Sequence, residues 1–306
     1  MDGKSKVVFM GSPDFALPVL QALSEKYPVV GVVTQPDRAA GRGRGLKPPP
    51  VKTLALELGI PVMQPEKLRA PEAIEQLRIC SPDVIVVAAF GQILRQEVLD
   101  LPQFGCLNVH ASLLPRWRGA APINAAILRG DKMTGITIMK MDKGLDTGPI
   151  LSQRSLRINP GETAGSLFDR LSALGAELLL DTLPGYLAGV IQPKPQPEGG
   201  ATYAPMLKKG EGQLDFSLPA EELERKVRAF NPWPGAFFIW NGNLLKVHRA
   251  SIGFDGLQMG ERGVFLGMPA VGTPDGLLVL VEVQPAGKKA MDGKAFLAGA
   301  RDWKEE

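Results

Sequence analysis

Three polar side chains in the middle of the chain have the types and spacing needed for acyl transfer. Asn108 and His110 end the short apolar run 106–110, which predicts a buried strand. Alternate residues of a strand point to the same side, about 6.5 Å apart, so these two side chains share a face. Asp146 follows a second predicted strand, 135–139, in a loop bounded by glycines that can hold an acid in an unusual backbone conformation. We expect the three groups to meet at the carboxyl ends of neighbouring strands, where open α/β sheets bind ligands.

This set suits the attack of a neutral amine on an acyl or formyl carbonyl. Asn108 could supply the N–H donor that stabilises the developing oxyanion, and losing one such donor typically costs about 10²–10³ in rate. His110 could carry a proton or act as a cation beside the oxygen, and a positioned acid–base group contributes roughly 10²–10⁴. Asp146 could orient the imidazole or relay a proton through water. An α-amino group titrates near pH 7.7–8.0, about the working pH, so no strong base is required.

Plainer interpretations of the same residues stay open at this point. A single histidine at a strand end is more often structural than catalytic, and Asn108 and Asp146 are both ordinary turn formers. Cys106 shares the face of Asn108 and His110, so a Cys–His acyl transferase is a rival. We expect the Cys106 thiol to be protonated, because it lies further back in an apolar strand.

Composition sets the broad class of the protein. The chain has 306 residues, 44% of them hydrophobic and 22% charged, which is typical of a soluble globular protein with room for two domains. The sequence contains no run of 18 apolar residues, which a membrane span would require. The polar start of the chain argues against a signal peptide. Two cysteines and two histidines without a cluster predict reduced thiols, no metal site and a cytoplasmic location.

The first half of the chain alternates apolar strands with amphipathic helices. Strands that are apolar throughout predict a mostly parallel, doubly wound, Rossmann-like α/β sheet covered on both faces. Its first turn, 11–16, has neither a dinucleotide fingerprint nor a phosphate-binding lysine, which argues against NAD and ATP. Residues 35–50 form an insert without apolar periodicity, and such a loop is usually functional or disordered. Its basic residues against Asp37 suit pairing with phosphates, and a solvated, mobile loop with incidental charge is an equal alternative. The basic residues are Arg38, Arg42, Arg44 and Lys47.

The last third of the chain has a different pattern. Residues 190–206 are rich in proline and glycine, which is typical of a linker, although an extended arm packed on the first domain is the alternative. Beyond residue 207, short predicted strands are separated by Asn-Gly and Asp-Gly turns, which predicts a small OB-like β-barrel. We therefore expect a catalytic domain at 1–189, a linker at 190–206 and a C-terminal domain at 207–306.

The central motifs resemble a known family. Residues 108–115 (NVHASLLP), 116–123 (RWRGAAPI) and 141–149 (MDKGLDTGP) closely resemble the formyltransferases that use 10-formyltetrahydrofolate. The similarity extends over nearly the whole chain, through the GSPDFA turn, the basic insert, the VVAAFGQIL segment and the C-terminal domain. Length, insert and second domain match the members that act on initiator tRNA.

The resemblance implies a reaction and a set of residues. It implies formyl transfer from 10-formyltetrahydrofolate to the α-amine of methionine on initiator methionyl-tRNA, for translation initiation, with Asn108, His110 and Asp146 as catalytic residues. It implies two folate-contacting segments: Phe90, Gly91, Gln92, Ile93 and Leu94, and Ser112, Leu113, Leu114 and Pro115. Arg42 matches an insert arginine that works at the tRNA acceptor end. The remaining basic residues expected to bind tRNA are Arg38, Arg44, Lys47, Lys208 and Lys209.

Two other functions remain as alternatives. The first is formyl transfer to a small amine, such as an amino-sugar nucleotide or glycinamide ribonucleotide, although neither the insert nor the second domain would be expected to serve it. The second is a non-catalytic RNA-binding module, which would bind tRNA without folate. We expect a monomer with no membrane partner and no metal.

Overall fold

The computed structural model describes residues 5–40, 45–254 and 256–304. The chain forms two compact units. The first comprises the described residues within Met1–Pro122, Met133–Arg157 and Phe168–Ala204, and the second those within Ile123–Lys132, Ile158–Leu167 and Pro205–Glu306.

The elements follow one another in an alternating order in the first half and in a strand-rich order in the second. The helices are α1 (Leu17–Lys26), α2 (Pro50–Glu57), α3 (Pro71–Cys80), α4 (Gln96–Leu99), α5 (Pro122–Leu128), α6 (Ala164–Leu187), α7 (Ala220–Ala229) and α8 (Gly293–Gly299). The strands are β1 (Val7–Gly11), β2 (Val29–Val33), β3 (Arg38–Ala40), β4 (Gly45–Lys47), β5 (Val62–Met63), β6 (Val84–Ala88), β7 (Cys106–His110), β8 (Arg118–Gly119), β9 (Met133–Lys140), β10 (Ile150–Arg157), β11 (Tyr203–Ala204), β12 (Ala236–Trp240), β13 (Asn243–Gly253), β14 (Arg262–Phe265), β15 (Met268–Thr273), β16 (Gly276–Pro285) and β17 (Met291–Asp292).

The first unit is built on a seven-stranded sheet in the order β10-β9-β7-β6-β1-β2-β5. Strands β5, β2, β1, β6 and β7 are parallel, whereas β9 and β10 run antiparallel. Every residue of β1 and β6 is buried, which requires cover on both faces of the sheet. The prediction of a Rossmann-like, mostly parallel sheet is therefore confirmed, and the two antiparallel strands at one edge make the sheet mixed. The antiparallel edge strand β10 alternates half-buried and exposed residues from Ser152 onward and has no fully buried residue, so its sequence forms no apolar run.

The basic insert contains regular structure that the sequence did not predict. Strands β3 and β4 pair antiparallel, with Arg38 opposite Lys47, and form a two-stranded sheet of their own. Arg42 and Arg44 lie outside the described residues. The described strands of the insert, β3 and β4, thus pair as the two arms of a hairpin.

The second unit contains a six-stranded antiparallel sheet in the order β12-β13-β16-β15-β14, with β17 paired to β16. Its core joins apolar residues of the sheet to one face of α7 and to α8. Trp303 is 1% exposed in this core, and its indole N–H donates to the carbonyl of Gly263 at 2.7 Å. The prediction of a separate β-rich C-terminal part is confirmed at this level, while closure into an OB-like barrel stays a prediction.

Candidate active site

Strand β7 presents the first two candidate residues. Its Cys106 and Leu107 are fully packed between neighbouring strands, whereas Asn108 is half-buried and His110 is 5% exposed. The antiparallel partner of β7 is β9, with Asn108 opposite Met139 and His110 opposite Thr137. The strand therefore holds both side chains on a rigid element at the border between core and surface.

Asp146 reaches the same place from the connection between β9 and β10. Its Oδ1 lies 3.4 Å from Asn108 Nδ2, and its Oδ2 lies 3.7 Å from His110 Nδ1. The structure thus brings the three predicted groups together, and Asp146 has the unusual backbone conformation expected of it, with φ +53°. The route differs from the expectation. Because β9 is antiparallel to β7, their carboxyl ends lie at opposite edges, and loop 141–149 must fold back along β7 to deliver the acid.

One hydrogen bond of His110 determines which of its two ring nitrogens carries the proton in the neutral imidazole. Nε2 lies 3.0 Å from the carbonyl oxygen of Trp117, which can only accept a hydrogen bond. Nε2 must therefore carry hydrogen, and the neutral imidazole has its free lone pair on Nδ1, toward Asp146. Nδ1 is consequently the atom that can take up and release a proton in this site.

Asp146 is held by a further donor. The backbone N–H of Gly119 donates to Asp146 Oδ2 at 2.8 Å. Gly119 has φ +116°, and a Cβ there would lie 2.6 Å from the carbonyl oxygen of Ala204. Both the backbone conformation and the close approach require glycine at this position. The Asp146 side chain is 14% exposed, so the Gly119 N–H and the His110 imidazole interact with a largely desolvated carboxylate.

Cys106 does not take part in this cluster. Its Sγ lies 3.6 Å from the carbonyl oxygen of Val98, and the side chain belongs to the apolar core between the sheet and α3. Burial raises the pKa of the Cys106 thiol to about 12, so the group is protonated near neutral pH. This burial agrees with the expectation of a protonated thiol and weakens the Cys–His alternative.

The comparisons with known proteins agree on one family. Residues 5–183 match the model described as formyl transferase, and residues 206–301 match the formyl transferase C-terminal domain. The chain belongs to the formyl transferase family. It is 51% identical over 302 residues to the methionyl-tRNA formyltransferase of Myxococcus xanthus, covering 97% of this chain and 95% of that protein. It is 52% identical over 302 residues to the protein of the same name from Bacillus pumilus, with the same coverage.

A solved structure extends the comparison to the fold alone. HypX from Aquifex aeolicus, crystallised in complex with tetrahydrofolic acid, superposes with a TM-score of 0.64 at 18% identity. The match covers 99% of this chain but 49% of HypX, so this formyl transferase spans about half the length of that protein.

The first segment expected to contact folate lies at the turn after β6. Phe90 and Leu94 are 3% and 4% exposed and pack in the apolar core, whereas Ile93 is 87% exposed. The side chain of Gln92 accepts from Leu68 N at 2.8 Å and donates to Pro65 O at 3.2 Å, and Gly91 has φ +80°. Of these five residues, Ile93 presents the most side chain to solvent.

The second expected folate segment forms a compact turn beyond β7. Ser112 is fully buried, and its hydroxyl donates to Arg116 O at 2.6 Å. Leu114 N donates to Thr137 Oγ1 at 3.1 Å, and the bond from Leu114 to Pro115 is cis. Leu113 and Pro115 are half-buried. The turn leads the chain from His110 to the Trp117 carbonyl that fixes the imidazole.

A surface cavity of about 580 Å³ opens beside the start of the loop that carries Asp146. It is lined by residues 140–144 together with α4 and the connection from α4 to β7: Gln96, Leu99, Asp100, Pro102, Gln103 and Gly105. Neither predicted folate segment contributes to its lining. Its volume is in the range of small-molecule sites, and its wall at Gly144 is two residues from Asp146.

The basic residues expected to contact tRNA fall in both units. Arg38 and Lys47 are exposed on the hairpin of the first unit, and Lys208 and Lys209 are exposed near the start of the second. Asp37, at the base of the hairpin, forms an ion pair with Lys52 at 2.7 Å and accepts from Gln64 at 2.7 Å. Lys52, which lies outside the insert, therefore neutralises the negative charge of Asp37. The four basic residues of the insert are then not offset by an acid within it.

Two contributors to the site, the Gly119 amide and the Trp117 carbonyl, were not predicted from the sequence. For residues 190–206 the sequence left a linker or an extended arm packed on the first domain, and the hydrogen bonds of this segment favour the arm. Within the first unit, Lys194 exchanges backbone hydrogen bonds with Ile150, and Thr202 accepts from Trp117 N at 2.9 Å. Strand β11 pairs with β8 next to Gly119. Residues 194–204 therefore pack on the two loops that carry the site.

The residues that the structure describes contain neither a metal-ligand cluster nor a membrane-spanning helix. No group of three or more His, Cys, Asp or Glu side chains there is arranged to hold a metal ion. No helix among the same residues is long and apolar enough to cross a bilayer.

Proposed function

We propose that this chain transfers the formyl group of 10-formyltetrahydrofolate to the α-amine of methionine on initiator tRNA. The observation that carries the proposal is that Asp146 lies 3.4 Å from Asn108 and 3.7 Å from His110. The chain that holds this cluster is about half identical to methionyl-tRNA formyltransferases over nearly its full length. The products are formylmethionyl-tRNA, used to begin translation, and tetrahydrofolate.

The proposed roles follow from which atoms can donate and accept. The amine nitrogen attacks the formyl carbon, the bond from that carbon to the folate nitrogen breaks, and one proton moves from the amine to the leaving nitrogen. Asn108 Nδ2 has one weak contact, at 3.4 Å from Asp146, and can turn its N–H to the formyl oxygen as charge develops there. His110 Nδ1 takes the amine proton, and Asp146 orients and stabilises the resulting cation.

The formyl donor fits the residues that are present. An amide donor, an imidazole with a free Nδ1 and a carboxylate suit a carbonyl group, and folate supplies a formyl group on a nitrogen that can leave. We propose that the pteridine end lies beside loop 141–149, with the cavity next to Gly144, Phe90–Leu94 and Ser112–Pro115 contributing to its surroundings.

The division of labour along the chain is part of the proposal. Residues 1–189 would form the catalytic domain, 190–206 would connect, and 207–306 would be an OB-like barrel that contacts tRNA. The sheet order β12-β13-β16-β15-β14 and the length of β13 and β16, which pair through two register shifts, favour a strongly curved sheet. The basic residues of the insert, with Lys208 and Lys209, would meet tRNA phosphates. The protein would act as a monomer in the cytoplasm.

A formyl-transfer assay with three acceptors tests the function. The purified chain and 10-formyltetrahydrofolate are mixed with methionyl initiator tRNA, methionyl elongator tRNA, or glycinamide ribonucleotide. Rapid formylation of the initiator alone supports the proposal. Preference for the small amine would replace it with the small-substrate alternative, and tRNA binding without turnover or folate binding would favour the RNA-binding module.

A further inference from the structure

The side chain of Gln196 joins the loop that carries Asp146 to the strand that carries Gly119. Its Nε2 donates to the carbonyl oxygens of Asp146 and Gly148, at 2.7 and 2.8 Å. Its Oε1 accepts from Arg118 Nε and Nη2, at 3.1 and 2.6 Å. Carbonyls only accept and a guanidinium only donates, so the partners themselves fix which end of the amide faces each of them. All four hydrogen bonds of the amide lie within the first unit.

These bonds fall on a residue whose backbone needs to be held. Asp146 has φ +53°, a conformation that costs a non-glycine residue free energy and persists only where its surroundings impose it. Gln196 holds the Asp146 carbonyl, while Gly119 N–H holds its carboxylate. The main chain and the side chain of Asp146 are thus fixed from two separate places.

The two fixing points are themselves connected. Gly119 and Arg118 are adjacent in β8, so one path runs from Asp146 Oδ2 to Gly119 and the other from Asp146 O through Gln196 to Arg118. Strand β11 pairs with β8 and belongs to the same stretch of chain as Gln196. The contacts form a closed ring around Asp146, and Gln196 is the link that the proline-rich segment contributes.

From this geometry we propose that Gln196 is a positioning residue for the reaction. Its four hydrogen bonds go to Arg118, Asp146 and Gly148, so it acts through Asp146, by keeping the carboxylate within reach of Asn108 and His110. The inference rests on the proposed function, since it assigns Asp146 a part in formyl transfer. Residues 190–206 are then part of the catalytic apparatus as well as a connection.

Two substitutions of Gln196 distinguish the role of its N–H donors from the role of its oxygen acceptor. Gln196→Ala removes all four bonds. Gln196→Glu keeps an acceptor for Arg118 but replaces the donor with an oxygen that faces two carbonyls. Gln192→Ala is the matched control, because Gln192 lies in the same segment and its Nε2 donates to Gly189 O, away from the site.

The expected result is a loss of turnover in both Gln196 variants. Because misplacing a catalytic group by about 1 Å can cost 10²-fold, kcat should fall by about tenfold to a hundredfold, and KM for 10-formyltetrahydrofolate should change by less than about threefold. Gln196→Glu should lose at least as much kcat as Gln196→Ala, because its second oxygen faces the two carbonyl oxygens that Gln196 Nε2 holds. Gln192→Ala should keep the wild-type kcat.

A second readout does not depend on activity. Residue-resolved hydrogen exchange at the Gly119 amide, which donates to Asp146, should be faster in both Gln196 variants and unchanged in Gln192→Ala. If wild type lacks formyl transfer but Gly119 exchange responds, the proposed function fails while the positioning contact stands. If wild type is active and Gln196→Glu keeps full kcat with unchanged Gly119 exchange, the positioning role is overturned and the function stands.

Discussion

At the scale of single residues, the site places one carboxylate between an amide and an imidazole. Asn108 is half-buried, and its side-chain amide makes one long hydrogen bond, to Asp146. Removing the amide should therefore cost little stability. We predict that Asn108→Ala folds normally and loses about 10²–10³ in kcat, the usual effect of deleting one oxyanion donor. Steady-state kinetics and thermal unfolding measure the two quantities. The control is Asn159→Ala, at an exposed position, and retained activity in Asn108→Ala would remove this residue from the mechanism.

For Cys106 we predict that substitution has little effect on kcat, in contrast to Asn108. With a pKa of about 12 and 1% exposure, its thiol should resist iodoacetamide at pH 8 in the native protein and react only after unfolding, as mass spectrometry would show. Cys106→Ala should lose about 1 kcal/mol of stability from the core and keep most of its kcat. A folded but inactive variant would restore the thiol as a nucleophile.

The residues of the site differ in how far sequence could predict them. Strand alternation alone places Asn108 and His110 together. Asp146 lies 36 positions beyond His110, and its arrival depends on an antiparallel β9 and a folded-back loop, which no local pattern encodes. The Trp117 carbonyl and the Gly119 amide are backbone groups, so no side-chain type points to their hydrogen bonds. The requirement for glycine at position 119 appears only once the neighbouring Ala204 carbonyl is placed.

At the scale of elements, apolar runs predicted the buried strands well, because a covered parallel sheet requires them. The pattern failed where elements are half-exposed or polar: the edge strand β10, the arms β3 and β4, and residues 194–204. Proline and glycine in the last segment predict extended backbone equally well for a free linker and for a packed one. Only its hydrogen bonds to the site loops distinguish the two.

The junction of β8 and β11 leads to a prediction about Gly119. Alanine there would combine a positive φ with a Cβ 2.6 Å from Ala204 O, so Gly119→Ala should cost about 2–5 kcal/mol and lower kcat by displacing the amide that holds Asp146. Gly189→Ala is the matched control, since Gly189 also has positive φ but its Cβ would meet no atom within 4 Å. It should cost about 1–2 kcal/mol and leave kcat unchanged. Equal losses in both variants would mean that the Ala204 contact is unimportant.

The base of the hairpin leads to a prediction about pH. Hydrogen bonds from Gln64 and then Lys52 hold the pKa of Asp37 below its usual value, so its contribution to stability is complete above the unfolded pKa, near 4, and is lost as pH falls through the lower folded value. The Tm of wild type should exceed that of Asp37→Asn at pH 6, and the difference should shrink below about pH 4. Asp215, whose pKa is also lowered, is common to both proteins and cancels. A difference that persists undiminished at pH 2 would exclude this ion pair as its source.

At the scale of the whole molecule, charge is unevenly distributed along the chain. The net charge is +3, while the insert alone carries four basic residues and an acid that is paired outside it. Beyond residue 207, acidic and basic side chains balance. Because Coulomb attraction to a polyanion acts locally and is screened within about 10 Å at 0.1 M salt, the insert rather than the overall charge should govern attraction to tRNA.

That reasoning gives a measurable salt dependence. The KM for methionyl initiator tRNA should rise steeply with KCl between about 50 and 200 mM, while the KM for 10-formyltetrahydrofolate changes little. If Arg42 contacts a phosphate, Arg42→Ala should raise the tRNA KM and reduce the slope of log KM against log salt by about 0.7–0.9, the release of one counterion. Arg78→Ala is the control, because Arg78 is exposed on α3 and pairs with Glu75. A slope unchanged by Arg42→Ala would show that this arginine contacts no phosphate, and an equal loss of folate affinity would assign the insert to the folate site instead.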